Sequence, residues 1–173
     1  MQRLAAVIGA ALPTLSFQAR AVLDALLLTR GRVGTAQQLA DRLHLRSRFE
    51  LAALLRVNGL PPLHRLSAWI TMLCWVWDWE NTRISLFRTA LSDGREPAAC
   101  YRLVTRMTGM PWTKVRAAGT QQMLDAFLAE CTVRRPQPES GHRRLSRSMA
   151  LGPKRTGSLT SGAVLLMTTH FRN

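Results

Sequence analysis

Arginine and hydroxyl side chains recur on one face of a helix that the sequence predicts between Pro97 and Thr108. Counting outward positions by helical spacing places on that face Ala98, Tyr101, Arg102, Thr105 and Arg106. Arginine can donate two hydrogen bonds to the acceptor edge of guanine, and small or hydroxyl side chains can contact thymine methyl groups or phosphates. This face therefore predicts contact with nucleic-acid bases, with ordinary solvated arginines as the alternative.

A second group of basic and hydroxyl residues surrounds an earlier predicted helix, which stops at Gly59. We predict groove or phosphate contacts there for Arg46, Ser47, Arg48 and Arg56. Ser47 is equally suited to cap its helix, because its hydroxyl can accept a backbone N–H. A solvated basic surface is the alternative for the three arginines.

The elements that carry the two faces repeat along the chain as a short helix, a tight turn and a longer helix. The first unit runs over 35–62 and the second begins at Ser85, with a connecting helix predicted over 63–80. Placing Gly59 opposite Gly109 aligns the two units. The connecting helix would span about 27 Å, which is close to the helical repeat of B-DNA, about 34 Å. The pattern predicts two helix-turn-helix units whose second helices enter the major groove.

For the whole chain we predict an all-α fold, because no stretch of the helical region alternates as a strand would. Its parts would be an N-terminal segment with one helix over 1–31, a tandem helix-turn-helix domain over 32–131 and a tail over 132–173. The tail is rich in arginine and lacks apolar periodicity, so we expect it to be disordered. A last helix is expected over 121–130, capped by Thr120.

Four tryptophans lie in the predicted connecting helix. Trp69 and Trp77 fall on its apolar stripe and are expected to be buried, whereas Trp75 and Trp79 lie off the stripe and are expected to be partly exposed. Stacking of bases on exposed indole rings, as in single-strand binders, is the alternative use of this cluster.

The net charge of +14 comes from 24 Lys+Arg against 10 Asp+Glu in 173 residues. The first 130 residues hold 16 basic and 9 acidic side chains, and the last 43 hold 8 basic and 1 acidic, so each part carries +7. A charge of this size predicts a polyanionic partner. Nucleic acid and an acidic membrane surface are the two alternatives.

Residues 90–116 resemble the DNA-binding domain of the AraC/XylS family of bacterial transcription regulators. The matching positions are Ala90, Gly94, Arg102, Val104, Gly109, Val115 and Arg116. The unit over 35–62 is similar to that family's first helix-turn-helix, and the helix over 63–80 is similar to its linker helix. The resemblance implies a bacterial, cytoplasmic regulator whose partners are double-stranded DNA and RNA polymerase.

Other classes of function find little support in the sequence. Asp78 and Glu80 lie two positions apart and point to different sides of a helix, and no glycine-rich phosphate loop occurs. The cysteines and histidines lack metal-ligand spacing. We therefore expect no enzymatic activity, no metal and no cofactor. No apolar run reaches the roughly 20 residues of a membrane span, and about 30 residues before the first unit are too few for a small-molecule effector domain.

These observations predict a sequence-specific, double-stranded DNA-binding transcription regulator that reads the major groove with two recognition helices. The alternative is a non-specific nucleic-acid-binding or architectural protein driven by arginine charge. A helix-turn-helix module that binds protein instead of DNA is a third hypothesis. The odd number of cysteines predicts a reducing, cytoplasmic compartment.

Overall fold

A computed structural model of the chain describes residues 2–133, which form eight helices and no strand. The helices are α1 Gln2–Ala11, α2 Phe17–Leu28, α3 Ala36–Arg42, α4 Arg48–Val57, α5 Leu63–Thr82, α6 Leu86–Ser92, α7 Pro97–Thr108 and α8 Trp112–Val133. The all-α prediction is confirmed for this part of the chain. The predicted disordered tail begins at 132, and from residue 134 onward it lies outside the described residues.

Hydroxyl side chains begin four of the helices, as the sequence predicts. Ser16, Thr35, Ser47 and Ser85 each accept a hydrogen bond from the backbone N–H three residues later, at 3.2–3.3 Å. Thr35 forms a reciprocal capping box, because Gln38 Oε1 accepts the Thr35 N–H at 2.9 Å. These caps satisfy N–H groups that a helix leaves without partners in its first turn.

Helix α5 lies at the centre of the described fold and packs against α2, α6, α7 and α8. Every residue from Trp69 to Val76 is buried, so α5 has no exposed side over these two turns. The expected exposure of Trp75 is wrong, because only 2% of its surface is accessible. Trp77, which was expected to be buried, is only half-buried, and Trp79 is half-buried as expected. The prediction assumed that α5 packs on one side only, whereas other helices surround it from Trp69 to Val76.

The segment over 1–31 contains two helices, α1 and α2, instead of the one predicted. Leu4 and Ile8, one helical turn apart, are buried in the core. The Arg20 guanidinium donates to the carbonyl oxygens of Gly9 and Leu12, at 3.4 and 3.2 Å. Helix α1 thus depends on packing against α2, because isolated helices of this length are marginal in water.

The last helix also differs from its prediction. Helix α8 starts at Trp112 and is interrupted by Gly119, whose φ of 82° and ψ of 174° are not helical. The predicted helix over 121–130 is therefore only the second part of α8. Its cap is Glu80 of α5, which accepts the backbone N–H of Thr120 at 2.7 Å and its hydroxyl at 2.5 Å. A carboxylate 40 residues away is invisible to local capping rules.

The pairs α3/α4 and α6/α7 superpose in sequence by their caps and their buried residues. The equivalent pairs are Ser47 with Glu96 as N-caps, and Leu51 with Cys100 and Leu55 with Val104 as buried residues. The predicted alignment of Gly59 with Gly109 holds for α3 and α6, whose N-caps Thr35 and Ser85 are 50 residues apart. Helices α4 and α7 align 49 residues apart instead, because the turn before α4 is one residue longer than the turn before α7. Within the described residues, no helix is long and apolar enough to cross a membrane.

Candidate nucleic-acid interface

Helix α7 carries the first candidate face. Glu96 caps its start by accepting the Ala99 N–H at 3.0 Å, and Gly109 ends it with a φ of 70°. Cys100 and Val104 are buried on the inner side. The exposed side holds all five predicted residues, namely Ala98, Tyr101, Arg102, Thr105 and Arg106. The prediction that these side chains share one exposed face is confirmed.

Arg102 has a partner that the sequence analysis missed. Its Nη2 lies 3.0 Å from Oε2 of Glu96, and both side chains are largely exposed, at 71% and 61%. The same carboxylate oxygen caps the helix, so one acidic group at the start of α7 engages both the backbone and Arg102. Thr105 donates its hydroxyl to the Tyr101 carbonyl at 3.2 Å, which leaves its oxygen able to accept. Helical spacing does not predict this contact, because residues six apart do not share a face. It arises because Glu96 is the N-cap of α7 and has extended backbone angles.

Three of the other predicted residues lie at the start of α4, with Arg46 in the turn before it, Ser47 as its N-cap and Arg48 as its first residue. Arg46 and Arg48 are exposed, and Ser47 is half-buried. The Ser47 hydroxyl accepts the Glu50 N–H at 3.3 Å, so it acts as a cap in this structure. Glu50 in turn accepts the backbone N–H of Arg46 at 2.6 Å. The two arginine side chains are therefore the groups that remain directed at solvent.

The outer face of α4 is more apolar than the predictions implied. Arg56 is exposed on it, but so is Phe49, at 70%, together with Ala52 and Val57. The Arg48 guanidinium lies 5.0 Å from the centre of the Phe49 ring, within the range of a cation–π contact. Sequence reasoning missed this apolar face, although Phe49, Ala52 and Arg56 follow the same spacing that was applied to α7.

A shallow groove of about 620 Å³ runs beside this face. It lies between α4, the start of α3 and the segment that leads into α5, and its lining includes Ala36, Phe49, Ala52, Arg56 and Pro62. Most of these side chains are apolar, and Arg48 and Arg56 also line the groove.

A charged cluster joins the end of α2 to the turn between α6 and α7. Arg30 Nη2 donates to Asp78 at 2.5 Å, and its Nε lies 3.5 Å from Asp93 Oδ1 without hydrogen-bond geometry. Asp93 also accepts from Trp75 Nε1 at 3.4 Å, and its carbonyl accepts from Arg32 at 2.8 Å. Burial lowers the pKa of Arg30, but the bond and charges of Asp78 and Asp93 outweigh it and raise that pKa above its ordinary value. The cluster fixes this turn relative to α2 and α5.

The buried thiols are not placed for chemistry. Burial raises the pKa of the Cys74 thiol to about 12, although the nearby Arg30 acts in the opposite direction. Burial also raises the pKa of Cys100, beneath α7. A thiol that is protonated at neutral pH is a poor nucleophile. Within residues 2–133, no three His, Cys, Asp or Glu side chains are grouped to hold a metal ion.

Comparison with known proteins adds no relative to this picture. The chain matches no protein-family model, and no curated protein or solved structure shows significant similarity to it.

Proposed function

We propose that the protein is a sequence-specific, double-stranded DNA-binding transcription regulator with two helix-turn-helix units. The units are α3/α4 and α6/α7, and α4 and α7 are their recognition helices. The observation that carries this proposal is the outer face of α7. Two arginines, a tyrosine and a threonine are exposed there together, above an inner face that is packed into the core.

The central helix supports the proposal by its length. Helix α5 has 20 residues, which correspond to about 30 Å at the rise of an α-helix. Successive major-groove faces on one side of B-DNA are about 34 Å apart. A monomer of this construction has the dimensions to place two helices on one side of a duplex. The net charge of +14 favours approach to a polyanion.

An AraC/XylS-type domain is the family that we propose. The support is the resemblance over 90–116 together with the order of the elements, in which a helix pair, one long helix and a second helix pair follow one another. Under this proposal the protein acts in the bacterial cytoplasm and engages RNA polymerase in addition to DNA.

A non-specific, charge-driven nucleic-acid-binding protein is the competing function. The observation that favours it is the position of the charge, since the last 43 residues hold half of the net positive charge. Binding by charge alone carries no base preference and weakens steeply with salt.

In-vitro selection from random duplex DNA with the full chain separates the two functions. We expect enrichment of a motif with two parts about one helical turn, roughly 10 base pairs, apart. Selection with Arg102→Ala is expected to relax the base preference in one of the two parts. Binding without any enriched motif would instead establish the charge-driven function, and no binding at low salt would exclude both.

A further inference from the structure

The outer face of α4 presents one hydrogen-bonding side chain, Arg56, where α7 presents four. At the positions equivalent to Ala98, Tyr101, Arg102, Thr105 and Arg106, helix α4 has Phe49, Ala52, Ala53, Arg56 and Val57. Phe49 and Val57 are each 70% exposed, and Ala52, also exposed, lies between them at helical spacing, so these apolar side chains follow one another along one face. Arg56 lies near the end of α4.

The charged residues around this apolar face indicate what kind of surface it can bind. Arg48 and Arg56 lie near opposite ends of α4 and are exposed. The acidic residue of α4, Glu50, accepts the Arg46 backbone N–H at 2.6 Å, so its carboxylate is held toward the preceding turn. An apolar centre between two cations is complementary to a surface that has methyl groups between phosphates. The major groove of DNA has such a surface wherever thymine occurs, because the C5-methyl is the apolar group of its base edges.

We propose that α4 reads thymine methyl groups while α7 reads guanine, so that the two halves of the recognised site differ in composition. The inference rests on the proposed DNA-binding function and extends it to the choice of base. Phe49, Ala52 and Ala53 contact the methyl groups, and Arg48 and Arg56 contact the flanking phosphates. On α7, the guanidinium groups of Arg102 and Arg106 donate to guanine N7 and O6.

Thymine-to-deoxyuridine substitution tests the proposal, because it removes the methyl group and leaves base pairing intact. The probe is a duplex selected with the full chain, and Arg102→Ala identifies the half that α7 reads. Uracil in the other half is expected to weaken binding by about fourfold for each methyl removed. Uracil in the α7 half is expected to have a smaller effect, because α7 offers the methyl groups only Ala98 and Thr105 and no phenylalanine ring. 7-Deazaguanine, which lacks the N7 acceptor, is expected to weaken binding only in the α7 half.

A variant links the effect to α4. Phe49→Ala removes an exposed ring, so the fold should persist, and it is expected to abolish most of the loss that uracil causes. Phe87→Ala on α6 is the matched control, since Phe87 is also exposed, at 52%, but lies on neither face. Equal uracil effects in both halves, or a uracil effect that Phe49→Ala leaves unchanged, would overturn the proposal while DNA binding stands. Failure to bind any duplex would instead remove the proposed function itself.

Discussion

Helices α4 and α7 have matching inner faces and dissimilar outer faces. Each starts with a side-chain cap and buries two residues one turn apart, Leu51 and Leu55 in α4, Cys100 and Val104 in α7. Their exposed sides differ, with an aromatic ring and alanines on one and arginines with hydroxyls on the other. The packing of a helix pair therefore leaves its outer face free to vary. Under the proposed DNA-binding function, base preference has to be derived separately for each helix.

The two helices are also supported differently. Helix α7 packs against α5, α6 and α8, whereas α4 packs against α2 and α3. The position of α4 relative to α7 consequently depends on how closely α2 and its following turn approach α5. Gly31 and Arg30 lie at that approach, where Ser67 donates to the Gly31 carbonyl at 2.6 Å and Thr71 donates to the Arg30 carbonyl at 3.1 Å.

The largest effect is expected from Gly31→Ala, which acts on the support of α4. Gly31 has a φ of +79°, and an added Cβ would lie 2.6 Å from the Ser67 carbonyl oxygen and also collide with the Thr71 hydroxyl. Left-handed strain and a backbone clash together are expected to lower the free energy of unfolding by about 3 kcal/mol or more. Urea denaturation followed by circular dichroism measures the change.

Gly109→Ala is the matched control for that substitution. Gly109 has a similar φ of +70°, but nothing lies within 4 Å of its added Cβ. Only the conformational strain remains, so the expected loss is about 1 kcal/mol. Equal losses for the two variants would show that α2 and α5 do not approach as closely as the structure indicates.

Arg102→Ala is expected to have the next largest effect and to separate the two faces by function. A guanidinium that contacts guanine contributes base discrimination, so affinity for a selected site should fall by about 10-fold to 100-fold. Affinity for random duplex should fall only a few-fold. Fluorescence anisotropy with both duplexes measures the ratio.

Two further variants sharpen this test. Arg56→Ala on α4 is expected to weaken selected and random duplexes alike, because a phosphate contact carries no base preference. Arg88→Ala on α6 removes an exposed arginine from neither face and should change both affinities least. Equal losses of selected and random binding for Arg102→Ala would contradict base reading by α7.

Local signals in the sequence were sufficient to predict α4 and α7, which carry the two faces, and the start of α6. Ser47 and Ser85 mark helix starts, and the stop at Gly109 is a left-handed residue as its sequence context suggests. The exposed set on α7 followed from helical spacing alone. Local capping and periodicity depend on residues within about one turn, so a single sequence reveals them.

Features that depend on distant residues were missed. The break in α8 depends on Glu80 accepting from Thr120, and the burial of Trp75 depends on helices that approach α5 from several sides. Helix α1 depends on the burial of Leu4 in the core. None of these partners is encoded nearby in the chain. The apolar face of α4 was missed for another reason, because the arginines at 46, 48 and 56 are the distinctive residue types of this region and Phe49 and Val57 resemble ordinary core residues.

The smallest change in affinity is expected from removing the carboxylate near the start of α7, Glu96, or of α4, Glu50. Glu96→Gln removes the ion pair with Arg102, so the Arg102 guanidinium no longer has to leave a carboxylate in order to contact DNA under the proposed function. Exposed pairs contribute about 0–1 kcal/mol, so affinity for the selected site should rise by at most about fivefold.

Glu50→Gln on α4 is the matched control, since Glu50 forms no ion pair in the described part of the chain and accepts a backbone N–H instead. Both variants remove one negative charge close to the proposed DNA-binding faces. Their shared gain in affinity therefore reports general electrostatics, and the excess for Glu96→Gln reports release of Arg102. Equal gains, with thermal melting showing equal stability, would mean that the Arg102 side chain is not restrained in solution and that the difference between the two faces lies in composition alone.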